Sequence, residues 1–148
     1  MTTAASEQKA MIGGIFTVLL ANADFTNNFG GSGAACRLFE QMAVDEPQVS
    51  ILPLCILTVI SDPDIPFFNR TTDMAAEVQF DIYGSRRDGS AALMDLEAIL
   101  YAALQGSSIT MTGYGTGTAQ RLSRPSFSRE GDALKCTVTY RIFGTDQR

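Results

Sequence analysis

Two stretches of this chain alternate apolar and polar residues with a period of two, and each can be satisfied only by a strand with one face covered. In "AEVQFDIYG" (76–84), Val78, Phe80 and Ile82 point one way, and Glu77, Gln79, Asp81 and Tyr83 the other. In "ALKCTVTYRIF" (133–143), Leu134, Cys136, Val138, Tyr140 and Ile142 oppose Lys135, Thr137, Thr139 and Arg141. Directly after the first stretch the period changes. Leu93, Leu96, Leu100 and Leu104 recur at helical spacing with Ile99 and Ala103 beside them, and Gly106 follows as a C-cap. A second apolar stripe, Met11, Ile15, Val18 and Leu19, predicts a helix over Glu7–Ala21. The continuous, β-branched run "LCILTVISD" (54–62) predicts a central, well-buried strand.

The segments between are less regular. "DFTNNFGGSGAA" (24–35) is read as a break, and the stretch from Cys36 to Pro53 as either a short helix or a short edge strand around Arg37–Phe39. Ile109–Thr112 is a possible short strand, Gly113, Gly115 and Gly117 a loop, and Ala119–Arg129 extended chain. Gly131-Asp132 then reads as a hairpin turn. The expected order is α-β-β-α-β-β. It predicts an α+β fold, an antiparallel sheet of about four main strands with two helices packed on one face. Residues 1–148 are expected to form a single domain with a long flexible loop around 24–50.

With 148 residues, 45% hydrophobic and 18% charged, the chain has the composition of a compact soluble domain. It contains no histidine, which removes Ser-His and Cys-His catalysis and the usual zinc sites. Cys36, Cys55 and Cys136 are odd in number and lack paired spacing, so they are expected to be unbridged. The apolar run before Ala21-Asn22-Ala23 resembles a signal peptide, but Glu7 and Gly13-Gly14 argue for an internal helix, and the run is too short to span a bilayer.

One loop, Gly84-Ser-Arg-Arg-Asp-Gly89-Ser90, has the glycine spacing of a phosphate-binding loop. Such a loop needs Lys and then Ser or Thr after the second glycine, where this chain has Ser90 and Ala91. Thirteen glycines in 148 residues supply about one such pair by chance. The loop is therefore read as a strand-to-helix corner, with Asp88 or Ser90 capping the helix and no nucleotide bound. The acidic pairs Asp62/Asp64 and Asp45-Glu46 lack the ligand density of a calcium loop, and Asp95 and Glu97 are placed on the solvent side of their helix. Neither a catalytic set nor a cofactor or metal site is expected.

The charge is unevenly spread. The net charge is −5, made of −8 over residues 1–120 and +3 over residues 121–148. Ends of opposite sign can pair between copies, although a solvated basic strand pair is the commoner meaning of such a pattern, and the acidic total disfavours general binding to nucleic acid. Candidate interface residues are Phe67 and Phe68 with the adjacent Arg70, and Arg121, Arg124 and Arg129 in the basic C-terminal segment.

The succession "IFTVLLANADF", "CRLF", "LPLCILTVISD", "AEVQFDIYGS", "AALMDLEAILYAALQG" and "ALKCTVTYRIF" resembles the tail-terminator (tail-completion) proteins of long-tailed bacteriophages and gene-transfer particles. The resemblance covers about Met11–Phe143. It departs from the family in the long stretch from Ala23 to Pro53 and at Gly113–Gly117. It implies a non-enzymatic virion protein without cofactors, assembled in the host cytoplasm and not bound to membrane. Such a protein forms a homo-oligomeric ring, a hexamer, on the last ring of tail-tube protein, stops tube growth and meets a head-connector or stopper protein. DNA passes through the ring without specific binding. The alternatives are another neck component, such as a head-completion or head-tail adaptor protein, and a small-molecule-binding α+β module.

Overall fold

A computed structural model of the chain describes residues 4–40, 52–60, 73–113 and 115–145. Three α-helices are present among them: α1 (Ala4–Leu20), α2 (Ala23–Asn28) and α3 (Gly89–Leu104). Seven strands form one sheet: β1 (Leu38–Glu40), β2 (Leu54–Ile60), β3 (Asp73–Ser85), β4 (Ser108–Met111), β5 (Gly115–Arg121), β6 (Ser126–Glu130) and β7 (Ala133–Thr145).

The two alternating stretches form the spine. β3 and β7 pair antiparallel over 13 residues, from Asp73 opposite Thr145 to Ser85 opposite Ala133. That register puts Val78, Phe80 and Ile82 on the same side as Cys136, Val138, Tyr140 and Ile142, and all seven are fully buried. β2 lies beside β3 and is apolar on both faces toward its start: Cys55 and Leu57 enter the main core, while Leu54 and Ile56 face away from it. The strand order is β1-β2-β3-β7-β5-β4, with β6 paired to β7 alone. Thus β5 and β6 divide one edge of β7 between them, β5 along Tyr140–Phe143 and β6 along Ala133–Thr137.

The expected sheet of about four antiparallel strands with two helices is corrected on three counts. It has seven strands, it is mixed because β1 runs parallel to β2, and three helices pack with it. β1, β4, β5 and β6, which the sequence offers only as possible short strands, loop or extended chain, are three to five residues long or rich in Ser, Thr and Gly, too short or too polar for periodicity to register. α1 touches both β2 and β4, which lie toward opposite ends of the order, so the sheet curls around that helix as a half-barrel.

Met11, Ile15 and Leu19 of α1 fill the concavity. Gly14 allows the helix to approach β4: a Cβ at that position would lie 2.5 Å from the Thr110 carbonyl oxygen. α2 occupies part of the stretch read as a break. Asn22 caps it by accepting the Phe25 N–H at 2.9 Å, and Phe25 and Phe29, one turn apart, stack in the core with centroids 4.6 Å apart. Two buried aromatics and a cap outweigh the poor helix propensity of "ADFTNN". α3 packs on β3, β5 and β7 through Leu93, Leu100, Ala103 and Leu104.

Candidate functional site

The glycine loop forms the tight corner expected of it. Gly84 is buried in β3, with Leu93 Cδ1 only 3.3 Å from where its Cβ would be. The turn closes through Asp88 N–H to Ser85 O (3.1 Å) and Arg87 N–H to Ser85 Oγ (3.1 Å), leaving Arg86 and Arg87 exposed. Gly89 has φ +82°, where a side chain would be strained. Asp88 occupies the N-cap position but makes no side-chain capping bond.

A half-buried ion pair lies on the helix side of the sheet. Glu97 is 8% exposed, not on the solvent side of α3, and its Oε1 accepts from Arg121 Nη1 at 2.8 Å. The guanidinium also sits 4.4 Å from the Tyr101 ring centre, and the Arg121 N–H donates to Gln105 Oε1 at 2.8 Å. β5 and α3 are thereby fastened together. Nearby, the Tyr140 hydroxyl is buried without a hydrogen-bond partner among the described residues. Burial, and then the Glu97 carboxylate, push its pKa upward.

The opposite face of the sheet is polar but structured. Asp81 is nearly buried, accepting from Thr137 Oγ1 at 2.7 Å and from Gln79 Nε2 at 3.1 Å. Lys135 pairs with Glu130 at 3.2 Å and lies over the Tyr83 ring, and Arg141 is 3.6 Å from Glu77. Beside these, Leu54, Ile56, Tyr83 and Ala133 make a small second apolar cluster with Phe39 and Leu52.

All three thiols are free and buried. Burial raises each one; Cys136 is pushed up to about 12, with the Glu97 and Asp81 carboxylates adding to the effect. They are protonated at neutral pH and poor nucleophiles. Among the described residues no group of three or more His, Cys, Asp or Glu is placed to hold a metal ion, and no helix is long and apolar enough to cross a membrane. A groove of about 470 Å³ runs between α1 and β4, lined by Lys9, Gly13, Gly14, Thr17, Thr110 and Thr112.

Of the interface candidates, Phe67, Phe68 and Arg70 lie outside the described residues, as do Asp45, Glu46, Asp62 and Asp64. Arg121 is committed to Glu97, whereas Arg124 and Arg129 are exposed, the first between β5 and β6 and the second on β6. Among the exposed apolar side chains not singled out from sequence are Met94 and Tyr101 on α3, and Phe127 on β6. The signal for Glu97 was present, because it follows Leu93 by four residues and precedes Leu100 by three, on the leucine stripe itself.

No protein-family model matches the chain, and no curated protein is similar to it in sequence. Solved structures are similar. A chain from the virion of a native gene transfer agent (GTA) particle superposes with a TM-score of 0.66 at 12% identity, covering 93% of this chain and 96% of that one. A second solved structure gives a TM-score of 0.55 at 12% identity over 91% and 94% of the two chains. At such identity the likeness is one of fold: this chain has, nearly end to end, the fold of a GTA virion component.

Proposed function

We propose that this chain is a structural virion subunit that forms a ring on the end of a tail tube, stops its elongation and joins the tail to the head connector. The fold it shares with a GTA virion chain over almost the whole length of both carries this reading. The order of elements that resembles tail-terminator proteins supplies the finer role. The subunit acts by binding, in keeping with its lack of histidine and its protonated, buried thiols.

Deleting the gene from a particle-producing strain and imaging the products tests the proposal. Full heads unjoined from tails, with tubes of uncontrolled length, are expected. Normal tail lengths and normal joining would refute it. Normal tail lengths with failed joining would instead assign the chain to the neck as an adaptor.

A further inference from the structure

β6 is a strand whose five residues are all exposed. It pairs with β7 on one side and has no strand partner on the other among the described residues. At the β4 end of the sheet, by contrast, α1 lies close against the strand. The two-residue turn at Gly131-Asp132, with Gly131 at φ +58°, closes the hairpin on the pair Glu130–Ala133. Hydrogen-bonded pairs alternate from there, so Ser128 and Ser126 also bond across to β7, and the peptide groups of Phe127 and Arg129 point outward. The bond from Leu122 N–H to Thr139 O continues the same alternation along β7.

An open edge of this kind templates another strand unless it is made selective, and the residues here supply selectivity. Pro125 blocks its entrance, and Arg124 and Arg129 are basic. The other cations of β5 and β7 are engaged within the chain: Arg121 with Glu97, Lys135 with Glu130 and Arg141 with Glu77. The positive charge open to a neighbour at this edge is therefore that of Arg124 and Arg129. The complementary surface is on the chain itself. Residues 1–120 carry −8, and β1, at the far end of the sheet order, ends in the exposed Glu40 and likewise has no outer strand partner among the described residues.

We propose that β6 is the edge on which a second copy of this chain docks. The outward peptide groups of Phe127 and Arg129 take up the β1 edge of that copy, with Arg129 against its Glu40. Two different edges meet, so the contact is head-to-tail and repeats, as a closed ring requires. The inference rests on the ring reading above and specifies its contact.

The test is the mass of the purified chain against concentration, with circular dichroism to confirm folding. Arg129→Thr removes the charge and keeps the N–H, and is expected to raise the half-assembly concentration about 2–5-fold, an effect that shrinks at high salt. Arg129→Pro also removes the outward N–H without touching a bond to β7, and is expected to cost about 10-fold more. Arg129→Glu is expected to abolish assembly, and Glu40→Arg in the same chain to restore it. A wild-type chain that stays monomeric, or a folded Arg129→Pro chain that assembles like the wild type, overturns the proposal. An assembling Arg129→Pro chain leaves the tail reading standing. Assembly through β6 alongside normal particles in the deletion strain refutes the tail reading and not the contact.

Discussion

Removing Arg121 is expected to destabilise the fold far more than removing its partner, Glu97. The Glu97 side chain is 10% exposed and Arg121 32%, so the two ends of the pair differ in access to water. With Arg121→Met, the carboxylate keeps its burial and loses its charged donor; stranding a buried charge costs about 3–5 kcal/mol. A third of Arg121 is already solvated, which leaves the site partly open, so the lower part of that range, about 3 kcal/mol, is expected. With Glu97→Leu, the guanidinium retains the Tyr101 ring and its solvent contact, while leucine continues the stripe of Leu93, Leu100 and Leu104. That change is expected to cost less than about 1 kcal/mol. Combining Glu97→Leu with Arg121→Met is expected to recover most of the loss from Arg121→Met alone, since no charge is then stranded. Urea unfolding measures all four proteins. With a slope of about 1–3 kcal/mol/M, Arg121→Met shifts the midpoint by about 1–3 M. Equal losses from the two single substitutions, or a loss below about 0.5 kcal/mol for Arg121→Met, would show that Glu97 reaches water and that the pair does not fasten α3 to β5.

Gly14→Ala places a methyl 2.5 Å from the Thr110 carbonyl oxygen and is expected to cost about 1–3 kcal/mol. Gly13→Ala, with nothing within 4 Å, is expected to stabilise by up to about 1 kcal/mol through helix propensity, and thermal melting of both variants reads the contrast. Stability is expected to fall above about pH 9 in alkaline urea titrations. The unfolded Cys136 thiol ionises near 9.0 whereas the folded one holds its proton to about 12, so its contribution is complete below pH 9 and is lost as the pH rises toward 12. The slope is about 1.4 kcal/mol per pH unit for that thiol, Cys136→Ala should remove this share, and an unchanged slope would contradict the assignment.

The long elements were legible because burial imposes a pattern on each: a period on α1, β3, α3 and β7, and an unbroken apolar run on β2. α1, β2, β3, α3 and β7 were all anticipated, within a few residues, from stripes that the structure buries. The short elements depend on partners that sequence alone does not name. β1 is three residues long and exists through its parallel pairing with β2 at Cys55–Leu57. The start of β5, at Gly115 and Gly117, was expected to be a loop and is paired with β4 instead. β6 and the end of β5 were anticipated as one extended stretch, Ala119–Arg129. The structure divides it at Leu122–Pro125, where Leu122 N–H still reaches Thr139 O but the ladder then moves to the next section of β7. Glu97 shows a different limit. Reading charge as a mark of solvent exposure overrode the helical spacing, which had placed the residue on the buried stripe. A carboxylate at such a position calls for a cation beside it, and Arg121 lies 24 residues later, beyond the reach of any local pattern.

The same consideration changes what the charge of the chain means. Read from sequence, the +3 of residues 121–148 looks like one basic surface. In the fold, Arg121 turns toward α3, while Lys135 and Arg141 lie on the opposite face of the sheet, each beside a carboxylate. On that polar face two cations are paired with carboxylates, and the third carboxylate, Asp81, is held by Thr137 and Gln79. The chain's acidity has another source: Asp45, Glu46, Asp62 and Asp64 alone supply four of its 16 carboxylates, all in the stretches flanking β2. A net charge of −5 therefore describes neither face of the sheet. Salt dependence of self-association should follow the exposed, locally unpaired Arg124 and Arg129, and exchanging the paired Lys135 and Glu130 for each other should leave it nearly unchanged.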